Sequence, residues 1–268
     1  MLKITSLQNL KIKQVVRLRE KRERDKTQAF LIEGYRELSR AIQGNASLVS
    51  LFYSPDHFLG SSEKALIEEA QSRGVEIFEV IKNVFEKISY RDRPDGLLAV
   101  AKQTHLTLKD LDDTLTKEHP PFFLVAEAIE KPGNLGSILR SCDAAGVDAL
   151  LVCDRCTDIF NPNVVRASVG TLFTVPILEV SSQEAIEWLK KSQVSIVATS
   201  PDAKKTFTKT DLTGPIAIAM GTEQLGLSKE WMKTSDLQVS IPMHGIADSL
   251  NVAAATTLLL YEVLRQRP

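Results

Sequence analysis

Residues 131–146 read KPGNLGSILRSCDAAG. They follow the apolar run FFLVAEAI at 122–129 and lead into a segment with helical spacing that glycine closes. A glycine-flanked loop between a strand and a helix commonly cradles a phosphate. A dinucleotide fingerprint would need G-x-G-x-x-G, and here only Gly133 and Gly136 stand in place. A phosphate loop would need Gly-Lys-Ser/Thr, which is also missing. Taken alone, the stretch is equally well a tight turn and a capped helix. Its unusual feature is Arg140, set into the helix that follows.

Outward from this loop the pattern is regular. ALLVCD, FTVPILEV, VSIVATS, PIAIAMG and LQVSIPM are strand candidates. Between them lie NPNVVRASVG, SQEAIEWLKKS and SKEWMKTSD as helical segments, and SLNVAAATTLLLYEVLRQ as a long C-terminal helix. Strands alternating with helices predict an α/β fold with a mostly parallel sheet covered on both faces. Ligands of such sheets bind at the carboxyl ends of the strands.

Toward the N-terminus, residues 8–24 predict one helix with Leu10, Val15 and Leu18 among its apolar positions. AFLIEG, SLVSLFYS, VEIFEV and GLLAVAKQ are strand candidates, interleaved with helices at YRELSRAIQG and SSEKALIEEAQSRG. Residues 104–120 hold Asp-Asp, Pro-Pro and few large apolar side chains. The expected division is a smaller α/β domain over 1–103, a linker over 104–120 and a larger domain over 121–268.

The 268 residues suffice for two domains, and a hydrophobic content of 43% is that of a globular protein. The net charge of −1 excludes a uniformly basic nucleic-acid coat, but not a local patch. Such a patch is expected in the first forty residues, where Lys11, Lys13, Arg17, Arg19, Lys21, Arg22 and Arg24 cluster. Three cysteines, with one C-x-x-C at Cys153 and Cys156, fit neither a disulfide framework nor a zinc site. No run is long and apolar enough for a membrane span or signal peptide, so a cytoplasmic protein without a metal is expected.

Three strand ends carry unusual residues. One is Asn134-Leu135-Gly136-Ser137-Ile138-Leu139-Arg140. Another is Met220-Gly221-Thr222-Glu223-Gln224-Leu225-Gly226-Leu227, in which Gly221 permits a close approach by backbone or ligand. The last runs from Ile241-Pro242-Met243 to Ser249-Leu250-Asn251-Val252-Ala253, with Ser249 the expected N-cap of the last helix. Together with NPNVVRASVG at 161–170, these motifs stand in the order N-x-G-x-x-x-R, G-x-E-x-x-G-L, I-P-M and S-L-N-V-A. The set resembles the SpoU (TrmH) family of the SPOUT methyltransferases from Phe122 onward. EGYREL and GLLAV in the first part resemble the substrate-binding domain of that family's longer members.

The resemblance implies transfer of a methyl group from S-adenosylmethionine to a ribose 2′-hydroxyl of RNA. It implies a deep C-terminal trefoil knot and a homodimer built through the catalytic domain. Carried over by position, Arg140, Asn134, Glu223, Ser249 and Asn251 are the expected catalytic residues. Thr199, Met220, Gly221, Ile241 and Leu250 are expected to line the cofactor. Ribosomal RNA is expected ahead of transfer RNA because of the additional N-terminal domain. No DNA or membrane partner is expected. A transfer-RNA enzyme of the same family, or an RNA-binding protein without catalysis, are the alternatives. Arginine has donors and no acceptor, so a base role for Arg140 conflicts with its chemistry. Binding the phosphate beside the target ribose and stabilising alkoxide charge suits it better.

Overall fold

The computed structural model describes residues 2–116, 119–154 and 156–267. The chain divides into two compact units. The first comprises Met1–Thr104 and Asp158–Thr174, and the second His105–Thr157 and Val175–Pro268. The segment Asp158–Thr174, expected from sequence to lie in the larger domain, thus packs with the smaller one.

The first unit holds a five-stranded sheet of β1 (Leu2–Ile4), β2 (Ala29–Glu33), β3 (Leu48–Tyr53), β4 (Glu76–Val80) and β5 (Leu97–Lys102), in the order β1-β4-β3-β5-β2. β1, β4 and β3 run parallel, whereas β5 is antiparallel to both β3 and β2. Around it stand α1 (Leu10–Arg17), α2 (Lys21–Thr27), α3 (Tyr35–Gln43), α4 (Glu63–Ser72) and α5 (Lys82–Ile88). The single helix expected over 8–24 is therefore two. The break is held by Arg24, whose guanidinium donates to the carbonyls of Leu18 at 2.9 Å and Arg19 at 2.6 Å.

Arg24 is buried and also pairs with Asp158 Oδ2 at 2.6 Å. A buried guanidinium demands such a partner, and the segment Asp158–Thr174 brings it. The same segment sets Phe160 against Phe30 in a tilted contact, ring centroids 4.7 Å apart, and adds α7 (Pro162–Ser168) against β2. Asn161 starts α7 by accepting from Asn163 N–H at 2.9 Å, a side-chain cap followed by proline at the first helical position.

The second unit is built on a seven-stranded, wholly parallel sheet. Its strands are β6 (Phe122–Glu127), β7 (Ala149–Cys153), β8 (Ile177–Val180), β9 (Ser195–Thr199), β10 (Lys205–Thr206), β11 (Ile216–Met220) and β12 (Leu237–Ser240), in the order β10-β12-β9-β11-β6-β7-β8. Its helices are α6 (Pro132–Ala144), α8 (Ser182–Lys191), α9 (Lys229–Thr234) and α10 (Val252–Gln266). β6, β7 and β11 are buried at every position, as parallel strands covered on both faces must be. Within residues 104–120, the described part includes a 3₁₀ helix (Leu108–Thr116) whose Leu111 is buried in the core of this unit. Lys117 and Glu118 of that stretch lie outside the described residues.

Two of the cysteines are buried here, and burial pushes the thiols of Cys142 and Cys153 up, away from the reactive thiolate. Among the described residues no group of three metal-ligating side chains stands together, and no helix is long and apolar enough to cross a membrane.

Candidate active site

The connections β6→β7→β8 step outward in one direction. The chain then returns to the other side of β6 as β9, and β11 fills the position left between them. β6 and β11 therefore flank a switch point, and their carboxyl ends are where an open parallel sheet binds ligands. From those ends emerge α6, after β6, and the loop 221–228, after β11. The segment 241–251 leaves β12, two strands away from β11, and delivers the chain to α10, which packs on α6. Ser141 and Thr257 join the two helices through a 2.7 Å hydroxyl contact.

Three side chains from these three segments form a continuous polar chain. Asn251 is the N-cap of α10, accepting from Ala253 N–H at 3.0 Å and Ala254 N–H at 3.4 Å through its carbonyl oxygen. Its amide nitrogen is thereby fixed on the other side, where it donates to Asn134 Oδ1 at 3.1 Å. Asn134 in turn donates its own amide to Glu223 Oε1 at 2.6 Å. An amide has one acceptor end and one donor end, so the cap sets the orientation of Asn251, and Asn251 sets that of Asn134. Each amide keeps a second N–H outside this chain.

Glu223 is partly buried, which pushes its carboxyl up. The amide of Asn134 and the backbone N–H groups of Glu223, Glu130 and Lys131 outweigh that and hold it below the usual carboxylate range. It is an ionised acceptor at neutral pH rather than a proton donor.

The loop that carries Glu223 is closed on itself. Thr222 and Gly226 exchange backbone hydrogen bonds at 3.0 and 3.1 Å, with Gly226 in the left-handed region at φ +67°. Gly221 lies so close to this pair that an added Cβ would stand 2.0 Å from Gly226 C and 2.2 Å from Leu227 N. The approach that Gly221 permits is therefore that of its own loop's backbone.

Of the other expected residues, Thr199 at the end of β9 donates its hydroxyl to Ala219 O at 2.9 Å, tying β9 to β11. Met220 is buried, Ile241 is half-buried, and Leu250 is exposed. From 241 to 250 the chain forms neither helix nor strand, and most of its side chains are exposed. Open backbone beside apolar side chains at strand ends is the kind of surface that a nucleoside cofactor takes.

One expectation meets a different geometry. Ser249 is exposed and does not cap α10; Asn251, two residues on, does. Arg140 lies on α6 six residues beyond Asn134, which places it about 120° around the helix. It is exposed and takes no part in the Asn251–Asn134–Glu223 chain. The same disparity holds in the first unit. Lys13, Arg17 and Arg22 are exposed, and Lys11 and Lys21 are in exposed ion pairs with Glu76 and Asp25. Arg19 is occupied by the carbonyls of Lys87 and Ser89, and Arg24 is buried and leaves the RNA-facing set.

Glu127, the last residue of β6, was not singled out by the sequence. It is a buried carboxylate directly beneath these loops, and one acid at the end of an apolar run carries no pattern that would mark it.

Residues 121–261 match the model of the SpoU rRNA Methylase family, and residues 9–99 match the MRM3-like substrate binding domain. The chain is 31% identical to a 23S rRNA (uridine(2479)-2'-O)-methyltransferase of Streptomyces viridochromogenes, over 93% of this chain and 87% of that one. A solved RNA 2'-O ribose methyltransferase superposes with a TM-score of 0.83 at 39% identity, covering 99% of both chains. An AdoMet-bound rRNA methyltransferase from Sinorhizobium meliloti gives 0.87 at 30% identity, covering 98% of this chain and 97% of that one.

Proposed function

Because the chain belongs to the SpoU rRNA Methylase family, we propose that it methylates one ribose 2′-hydroxyl of large-subunit ribosomal RNA, using S-adenosylmethionine. The observation that carries the reading for this chain's own residues is the oriented chain Asn251–Asn134–Glu223 at the switch point of the sheet.

Bound S-adenosylmethionine supplies an electrophilic methyl group. The residues of this chain have three tasks. Thr199, Met220, Gly221, Ile241 and Leu250 present backbone donors and apolar surface at the carboxyl ends of β9, β11 and β12 to hold it. Asn134 and Asn251, each with one amide N–H to spare, orient the ribose so that its 2′-oxygen lines up for attack, where geometry supplies much of the rate. Arg140, exposed and with no ion pair among the described residues, takes the phosphate beside that ribose and stabilises charge that develops on the oxygen. Glu223 keeps Asn134 in place; its depressed carboxyl is a poor proton acceptor. The proton leaves to water or to the neighbouring phosphate. Ser249, exposed on the approach to α10, contacts substrate or cofactor from the loop.

The segment 241–251 crosses from β12 past β9 and β11 to α10, and our reading is that it passes through the loops there as a trefoil knot. α10 leaves Leu258, Tyr261 and Leu264 exposed at intervals of three, with 44%, 50% and 37% of their surfaces open. This stripe is our candidate for the homodimer face. Lys13, Arg17 and Arg22 supply phosphate contacts from the first unit. The site of action is the cytoplasm.

The test is a map of 2′-O-methylated nucleotides in ribosomal and transfer RNA from cells with and without the gene. One ribosomal site is lost on deletion, restored by the wild type and not restored by Arg140→Ala. A map that deletion leaves unchanged overturns the reading.

A further inference from the structure

We propose that Glu127 is a positioning residue for cofactor binding, acting as the clamp that fixes the stem of the loop 221–228. This rests on the reading that the loop lines the S-adenosylmethionine site.

The loop is anchored at two points, both on the β6–α6 element. Its tip is held by Glu223 on Asn134, in the first turn of α6. Its stem is held where Ser228 N–H donates to Glu127 Oε2 at 2.7 Å. Between the anchors the Thr222–Gly226 pair and the packing of Gly221 on Gly226 leave no slack. Displacement at one anchor is therefore passed to the other, and to Met220 and Gly221 beside them.

Glu127 is 5% exposed, so its charge is out of water and must be satisfied. Its other neighbour is Ser182 Oγ, 3.5 Å from Oε1. That hydroxyl has one proton, and the 2.5 Å contact with Asp154 Oδ2 takes it. Ser182 also accepts from the indole N–H of Trp231 at 2.8 Å, and Trp231 is wholly buried. Asp154, Ser182 and Trp231 are thus satisfied among themselves. The bond that satisfies Glu127 is the one to Ser228, and that bond holds the loop.

The test compares Glu127→Ala, Glu127→Met, Glu127→Gln and Ser182→Ala with the wild type. The readouts are calorimetric affinity for S-adenosylhomocysteine, RNA affinity, melting temperature and amide exchange at Ser228. Glu127→Ala weakens S-adenosylhomocysteine binding about tenfold, the loss of one charge-assisted hydrogen bond, while RNA affinity is unchanged. Glu127→Met fills the volume without an acceptor and gives the same loss if the alanine variant is too unstable to measure. Glu127→Gln, whose amide oxygen still accepts from Ser228, binds within about threefold of the wild type. Ser182→Ala lowers the melting temperature and leaves cofactor affinity alone. The proposal is overturned if Glu127→Met binds as the wild type does, or if Ser182→Ala weakens binding as much as Glu127→Met. A wild type that binds no S-adenosylhomocysteine sinks the functional reading instead. The clamp is then judged by exchange at Ser228, which is faster in Glu127→Met if the clamp exists and unchanged if it does not.

Discussion

Asn251 uses its two side-chain ends on different tasks: the carbonyl caps α10, and the amide donates to Asn134 at 3.1 Å. The helix terminus and the orientation of Asn134 are therefore one device. Asn251→Ser and Asn251→Ala separate them. Serine still caps but cannot reach Asn134 as an amide does. Asn251→Ser is expected to keep most of the stability and lose methyl transfer, whereas Asn251→Ala also loses about 1 kcal/mol of stability. Thermal melts beside single-turnover rates check this; full activity in Asn251→Ser refutes the orienting role.

Glu223 gives a pH dependence of definite sign. Its carboxyl is held below the usual range in the folded protein, so its contribution to stability is present above the unfolded pKa of about 4.3. That contribution is lost as pH falls through the lower, folded value. The difference in melting temperature between wild type and Glu223→Gln is expected to be constant near neutrality and to shrink below about pH 4. A difference that grows on acidification contradicts the assignment.

Gly221→Ala tests the closed loop. The new Cβ meets backbone at 2.0 Å and 2.2 Å, where no side chain can yield. The expected cost is about 1–3 kcal/mol, with weaker S-adenosylhomocysteine binding because the loop must open. Gly226→Ala, which has open space around it but a left-handed backbone, is expected to cost about 1 kcal/mol through strain alone. Equal effects of the two substitutions on cofactor affinity would argue against the contact at Gly221.

Arg22 and Arg24 stand two residues apart and are expected to respond oppositely. Arg24→Ala leaves Asp158 buried and unpaired, a cost of about 3–5 kcal/mol, seen in the denaturation midpoint. Arg22→Ala leaves stability unchanged and lowers RNA affinity, with a shallower salt dependence. Unchanged RNA affinity when Lys13, Arg17 and Arg22 are all replaced removes this surface from the substrate path.

Ala128 follows β6 with φ +51°, a conformation that costs an alanine about 1 kcal/mol. Its N–H meets Cys153 O at 2.9 Å, which holds it there. Ala128→Gly is expected to leave stability the same or raise it by less than that amount, the strain relief being offset by the flexibility of glycine. A marked fall in melting temperature would show that the methyl group packs.

The parallel sheet and the three loops were legible because both are written in local sequence. Buried strands are continuous apolar runs, and loops at strand ends collect glycine, asparagine and acids. β1 and β10 were not legible, since three and two residues are too few to show a period. Ser249 and Asn251 are both good caps two positions apart, and the choice between them is made by Asn134, 117 residues away in sequence. Arg24 was hidden among exposed charges because its partner lies 134 residues further on. In each case what the sequence lacked was a long-range contact.

The division of the first unit between two stretches of chain bears on its synthesis. When residue 104 has left the ribosome, every strand of the five-stranded sheet exists, but Arg24 has no counter-charge and Phe30 lacks the ring of Phe160 to pack against. Both arrive with Asp158 and Phe160, after β6, α6 and β7 of the other unit have been made. The first unit cannot complete its packing until residue 174 has been made, with the opening elements of the second unit already in the chain. A nascent chain arrested between the two would carry a buried charge in search of a partner, and only continued translation can provide it.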